Sequence, residues 1–310
     1  MRIARSLQEV PQEKNSVVTV GTFDGVHRAH REIILETVRR ARAAGGRSVV
    51  VTFDPHPKEV VVSPRGPVKL LSTMEERIEV IDALEADLLV IVQFTFSFSR
   101  ISAEEFYGDY IVRGTGVAEV IVGYDHMFGR DREAGIDDLK RIGHQSGFSV
   151  FAIPPFAIGG EAVSSTKIRD ALLAGNIERA TEFLGRPYGF TGEVVRGEGR
   201  GAALGFPTAN IVLRSASKIL PARGVYAVRG RVGGEDLPGM MNIGTRPTVT
   251  DGSAMTIEAH LFGMARPLYG EPITVEIYRK LRDEQKFGSV QDLIAQLTRD
   301  RENARRALGL

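Results

Sequence analysis

The stretch GTFDGVHRAHR, residues 21–31, sets His27 and His30 three positions apart, after an apolar run and at the start of a helical pattern. Residues three apart share one helix face, and the first turn of a helix offers unpaired N–H groups and the positive end of a dipole. Two imidazoles there can donate to phosphate oxygens. They can also bind a metal with the Asp24 carboxylate as a third ligand, although the spacing is not that of HExxH, or they can be two solvated helix residues.

Three other stretches carry reactive or polar groups. EAVSSTKIRDALLAGN (161–176) opens a helix with Ser164, Ser165 and Thr166 and places Lys167 and Arg169 in its first turns. That pattern is a second anion-binding helix start or a plain N-cap. GEGRGAALGFPTAN (197–210) is a glycine-rich loop that fits neither the Walker spacing nor GxGxxG, because Ala202 stands at the third glycine. Gly199, Gly201 and Gly205 supply a flexible flap able to close on phosphates, and Thr208 and Asn210 offer hard oxygens of the kind Mg²⁺ takes. In TIEAHLF (256–262), strand alternation puts Glu258 and His260 on one face, where Glu258 is either a solvated outer residue or, if that face borders the glycine loop, a carboxylate able to accept a proton from an attacking alcohol.

Two kinds of element must hold these groups. From 17 to about 156, the near-continuous apolar runs VVTV, SVVVTF, DLLVIVQF, VAEVIVGYD and FSVFAIPPF alternate with helical stretches. A parallel sheet covered on both faces is expected there, with a first helix at 27–43 ended by Gly45 and Gly46. In an open α/β sheet the helix starts after the strand carboxyl ends line one crevice, which would bring the histidines and SSTKIR together. After Gly185 the strands FTGEVVR, GVYAVRGRV, TIEAHLF and PITVEIYR follow one another without helices, predicting an antiparallel small barrel or sandwich. A last helix is capped by Ser289 and Asp292. The boundary is expected within LGRPY, giving domains 1–185 and 186–310.

A chain of 310 residues has room for two such domains, and 43% hydrophobic with 25% charged residues is an ordinary globular composition. The net charge of +1 provides no global field for nucleic acid or an anionic membrane. Without cysteine, disulfides, thiolate metal sites and a cysteine nucleophile are excluded. No apolar run reaches membrane-spanning length, and a cytoplasmic protein is expected.

The His27/His30 pair followed far downstream by SSTKIR resembles the signature of the nucleotidyltransferase superfamily. With VTFDPHP (51–57), KLLSTMEER (69–77) and VGYDHMFGR (122–130), the first domain resembles the adenylyltransferase half of bacterial FAD synthetase. LGFPTAN, GVYAV, NIGTRPTV, IEAHL, LYG and LRDEQKF, in that order, resemble the riboflavin kinase module. The resemblance implies a Rossmann-like α/β domain, then a small β-barrel with a C-terminal helix, together making FMN and then FAD. It implies that Glu258 is the kinase base, that Thr208 and Asn210 bind Mg²⁺ with ATP, and that Gly199, Gly201 and Gly205 face its phosphates.

In the first domain it implies catalytic roles for His27, His30 and Arg169. Gly21, Phe23, Asp24, Asp125, Ser164, Ser165 and Thr166 would contact ATP, and Phe53, Pro55, His56 and Pro57 would contact the flavin. ATP, riboflavin, FMN, FAD and pyrophosphate are the implied partners. The chain departs from the family pattern at Ala29, where the HxGH motif has glycine, at Arg31, at Ala202 and in GMARP (263–267). Ala29 adds one methyl and favours the helix, so the site is expected to tolerate it. Ala29 and Ala202 leave one alternative enzyme, a single-activity protein whose other domain has decayed into a binding module; a flavin- or nucleotide-sensing regulator would keep the pockets but lose the base, and the presence of Glu258 with both histidines argues against it.

Overall fold

Apolar β-branched runs need cover on both faces, and the N-terminal sheet receives it. A computed structural model describes the chain except for residues 62–67, 125, 130–132, 198, 248–252 and 265, with backbone alone for Leu7, Asp109, Arg246, Pro247, Ser253 and Ala254. The sheet comprises β1 (Arg2–Ala4), β2 (Ser16–Val20), β3 (Ser48–Asp54), β4 (Leu88–Gln93), β5 (Val117–Gly123) and β6 (Ser149–Ile153), all parallel, in the order β1-β4-β3-β2-β5-β6. On one face Val50, Leu89 and Ile91 pack against Ile34 and Val38 of α1 (Arg28–Ala43) and Ile81 of α3 (Met74–Asp82). On the other, Val18, Val49, Val90 and Val120 meet Tyr107 and Ile111, and Leu139 and Ile142 of the helix Ile136–Ser146. The connections run from β2 to β3 on one side and lead to β5 on the other, so the strand order reverses at β2/β5. Its carboxyl end is where an open α/β sheet binds ligands.

Over the outer strand β6, the Arg40 guanidinium stacks 3.6 Å from the centre of the Phe151 ring. Glu36 and Glu119 hold it there at 2.6 and 2.7 Å.

The chain divides into two compact units, Met1–Ser165 and Thr166–Leu310. The sequence texture changes later, at 185/186, because the helices Ser165–Leu173 and Ile177–Leu184 still read as α/β. The second of them packs on strands of the barrel. Before both helices, in the first unit, lies a small hairpin, β7 (Ala157–Ile158) and β8 (Glu161–Ala162).

The second unit is a closed barrel of β9 (Tyr188–Val195), β10 (Ala209–Leu213), β11 (Gly224–Val232), β12 (Glu235–Pro247), β13 (Ser253–Leu261) and β14 (Pro272–Arg282), in the order β10-β13-β12-β11-β14-β9. Burial alternates with period two along β9 and β14, leaving Phe190, Val194, Ile273, Val275 and Ile277 covered. The C-terminal helix Val290–Ala307 lies on the barrel, where Ala304 and Leu297 pack with Phe206, Ala227 and Met240. Ser289 caps it, accepting from the Asp292 N–H at 3.1 Å.

Candidate active sites

The histidine loop follows β2 at the reversal point of the sheet. Phe23, Gly25 and Val26 all take positive φ, which turns the chain sharply and buries Phe23 and Val26 beneath it. His27 does not lie on the helix as its spacing predicts. It is the N-cap of α1, extended at φ −72°, ψ 174°, and its Nδ1 accepts the His30 N–H at 3.3 Å. An accepting Nδ1 is unprotonated, so His27 presents its proton from Nε2. The two imidazoles stack with centroids 3.6 Å apart at 15°. Phe23 meets the His30 ring edge-on at 5.3 Å, and it fills the space where a Cβ on Gly21 would stand, 3.0 Å away. Burial, then the neighbouring His27 and Arg77, hold the His30 pKa well below 6.5, so the ring is neutral at physiological pH.

The Asp24 carboxylate is taken up by backbone amides of a neighbouring segment. The residue is buried, and its Oδ1 accepts the Leu71 and Ser72 N–H groups, both at 3.0 Å. Ser72 in turn receives the Gly25 N–H on its hydroxyl at 2.8 Å. The carboxylate therefore fastens KLLSTMEER under the histidine loop, and Phe23 likewise supports His30 from within. Among the described residues, no group of three or more His, Cys, Asp or Glu side chains is arranged to hold a metal ion.

A buried arginine lies beside Asp24. Arg77 Nη2 is 4.0 Å from Asp24 Oδ1, while Nη1 reaches Thr52 Oγ1 at 3.3 Å and the Phe53 carbonyl at 3.4 Å. Burial lowers its pKa from the ordinary arginine value, and Asp24 is the first of several carboxylates opposing that shift.

In VTFDPHP, His56 is also a cap. It is buried, its Nδ1 accepts the Lys58 N–H at 3.1 Å, and Glu59 answers at the His56 N–H to close a capping box on α2 (Pro57–Val60). Pro57 takes the first helical position, where a missing N–H is no loss. These contacts direct His56 and Pro57 into the turn; Pro55, after a cis peptide bond, is exposed. Phe53 joins an aromatic group that single residues in the sequence did not announce: Phe94 at 5.6 Å, Phe98 at 6.1 Å and Phe106 at 6.3 Å. The usable signal was the alternation FTFSF just after β4.

Ser165 donates its hydroxyl to the Asp24 carbonyl at 3.0 Å, which ties SSTKIR to the histidine loop. Thr166, Lys167 and Arg169 follow on the helix Ser165–Leu173, in the second unit, with Ser164 just before it. Asp125 lies outside the described residues.

In the barrel, one cavity of about 270 Å³ gathers Arg200 and Gly201 of the flap with Thr208, Glu258, His260 and Arg282. Glu258 stands in register with Asn210 on one neighbouring strand and Asn242 on the other. Asn210 is not among the lining residues, but it is packed against Gly197, where a Cβ would fall 2.0 Å from its Nδ2. The flap is not a loose loop as its glycines predict: Arg200–Ala203 form a short helix with Gly199 as N-cap, closed by the Phe206 N–H on the Gly201 carbonyl at 2.8 Å. Gly199 and Gly205 adopt φ of 72° and 82° at its two ends and do not line the cavity; Gly201 does. His260 Nδ1 bonds the Pro207 carbonyl at 2.8 Å, joining the Glu258 strand to the residue before Thr208.

Sequence reasoning named LRDEQKF without its role. Arg282 makes a forked ion pair with Asp300 of the C-terminal helix, Nε to Oδ2 at 3.0 Å and Nη2 to Oδ2 at 2.8 Å, and Gln296 adds a bond to Oδ1 at 2.8 Å. This pair joins the end of β14 to the C-terminal helix at the cavity, which Glu284 and Phe287 line after the strand and Leu293 and Leu297 line from the helix.

Residues 9–167 match the FAD synthetase family model and residues 184–308 the riboflavin kinase model. The bifunctional riboflavin kinase/FMN adenylyltransferase of Escherichia coli strain K12 is 37% identical, over all of this chain and 98% of the relative. The protein of that name from Listeria monocytogenes is also 37% identical, over 94% and 92% of the two chains. A crystal structure described as a macrolide-efflux protein from Streptococcus pneumoniae superposes with a TM-score of 0.88 at 30% identity, covering 98% of each chain. Among the described residues of the present chain, no helix is long and apolar enough to cross a membrane. Both family models match in the order in which the two site constellations occur, and the match to full-length relatives spans the junction: the chain belongs to the bifunctional riboflavin kinase/FMN adenylyltransferase family.

Proposed function

We propose that this chain phosphorylates riboflavin in the barrel and adenylylates the resulting FMN at the histidine loop, using ATP in both steps. The observation that carries this reading is the single cavity in which Glu258, Thr208 and the Gly201 flap converge. Glu258 takes the proton of the ribityl 5'-hydroxyl as that oxygen bonds to the γ-phosphorus of ATP and the bond to the β-phosphate oxygen breaks, releasing ADP. Thr208 and Asn210 are neutral oxygen donors two residues apart, just before and within β10, and Gly197 leaves the Asn210 amide room. That set fits a Mg²⁺ that takes most of its ligands from phosphate and water. Bound there with ATP, the ion supplies neutralisation of charge on the transferred phosphoryl group. The flap helix, with Gly201 against the cavity, excludes water from the reacting atoms.

In the adenylyl transfer, a phosphate oxygen of FMN bonds to the α-phosphorus of ATP and pyrophosphate leaves. The nucleophile is already an anion, so the chain's task is positioning and charge stabilisation. The Nε2–H of His27 and the neutral ring of His30 serve the phosphates, with the N–H groups of the first turn of α1. Ser164, Thr166 and Arg169 are phosphate ligands on the strength of the motif, and Ser165 acts through its backbone N–H because its hydroxyl is engaged. Phe53, Phe94 and Phe98 offer the flat apolar surface that an isoalloxazine ring needs. Domains 1–185 and 186–310 are the two functional modules, and the lack of cysteine fits work in a reducing cytoplasm.

Supplying riboflavin, ATP and Mg²⁺ and following the flavins by chromatography tests the assignment, with FMN and then FAD expected. Glu258→Ala is expected to stop FMN formation and spare conversion of FMN to FAD, and His30→Ala to do the reverse. FMN accumulating without FAD refutes the adenylyl transfer, and loss of both activities in either variant refutes separate sites.

A further inference from the structure

Arg77 is the largest fully buried side chain among the described residues, at 2% exposure, and nothing in the two reactions yet uses it. A buried guanidinium is costly, and an apolar residue of similar size usually serves stability as well or better. Its contacts are sparse for such a residue: 3.3 and 3.4 Å to the end of β3, 4.0 Å to Asp24, and no hydrogen-bond partner at Nε among the described residues. It joins three segments at the first site. Asp24 belongs to the histidine loop, Thr52 and Phe53 to the aromatic face, and Arg77 itself to KLLSTMEER, whose Leu71 and Ser72 amides also hold Asp24. Thr52 Oγ1 extends the chain of contacts by donating to the Thr22 carbonyl of the same loop at 3.2 Å.

We infer that Arg77 is a positioning residue for adenylyl transfer: clamped between Asp24 and the Thr52–Phe53 strand end, it fixes the histidine loop relative to the aromatic face. The inference rests on the reading that the histidine loop carries that reaction. It assigns Arg77 no contact with substrate. Because the clamp is a cation facing a carboxylate, its effect depends on charge as well as on filled volume, which separates it from ordinary packing.

The experiment measures FMN-to-FAD conversion and riboflavin phosphorylation on the same preparations of wild type, Arg77→Met, Arg77→Lys, Asp24→Asn and the Arg77→Met/Asp24→Asn double variant. Arg77→Met is expected to lower kcat for adenylyl transfer at least tenfold with KM for ATP changed less than threefold, and to leave the kinase rate within twofold. Arg77→Lys is expected to recover most of the loss. The double variant is expected to lose less than the product of the two single losses, because each single change breaks the same clamp. An adenylyl-transfer rate within twofold of wild type in Arg77→Met overturns the inference, as does an equal loss of both activities. Wild-type protein that fails to convert FMN, or a His30→Ala variant that converts it normally, overturns instead the reading beneath it.

Discussion

Replacing Asp300 by alanine tests how the kinase cavity is walled. Asp300 is 1% exposed and carries the forked pair with Arg282 as well as the bond from Gln296. Removing one member of a buried ion pair leaves the other uncompensated, typically at about 3–5 kcal/mol. The Arg282 side chain keeps 18% of its surface, so water partly replaces the lost carboxylate and the lower end, about 3 kcal/mol, applies. For a unit of this size such a loss lowers the melting temperature by roughly 6–12 °C. Thermal and urea denaturation followed by circular dichroism measures it, with riboflavin phosphorylation assayed in parallel. Replacing both partners, as Arg282→Met/Asp300→Leu, is expected to restore stability to within about 1 kcal/mol of wild type, since no charge is left stranded. Kinase activity should stay low in that double variant, because Arg282 itself lines the cavity. A single-variant loss under about 1 kcal/mol, or a double variant as unstable as the single, refutes the reasoning.

Two further outcomes are expected. Gly201→Ala places a Cβ 2.4 Å from the Phe206 carbonyl and 3.1 Å from Thr208 Oγ1, so it should abolish FMN formation by displacing the flap while FMN-to-FAD conversion continues; full kinase activity would show that the flap tolerates the shift. His30 is held neutral by burial, so below about pH 6.5 the unfolded chain binds a proton that the native state resists, and stability should fall with falling pH at up to about 1.4 kcal/mol per pH unit from this group. His30→Gln should flatten that limb between pH 5 and 6.5. An unchanged slope in urea titrations would contradict the assignment. Glu36, whose pKa is lowered to about 2 by Arg39 and Arg40, titrates outside that window.

The elements with a strong local pattern were legible in the sequence. β2 through β6 and α1 fall where the apolar runs and Gly45 place them, and Gly224–Val232 is matched residue for residue. β1, with three residues, exists only through its pairing with β4, which no local window contains. β12 was missed because Pro238 and Gly239 interrupt it, and the ladders on both sides hold it extended regardless. The candidate sites show the same division. Residue type, spacing and the family resemblance singled out the histidine pair and Glu258 as candidates, while roles set by a third dimension stayed hidden: His27 and His56 as caps, Asp24 as an anchor, and Arg77 and Asp300 as partners of residues far along the chain.

The Arg40 stack has a consequence for how the protein meets its own copies. A closed barrel exposes no free strand, whereas an open sheet ends in two, each a template on which another chain can add. β1 is too short to serve. β6 is long enough, but its Phe151 lies under a guanidinium that Glu36 and Glu119 keep in place. A strand added beside β6 would have to seat its own side chains against that charged cluster, so the longer edge of this sheet carries its own deterrent to aggregation.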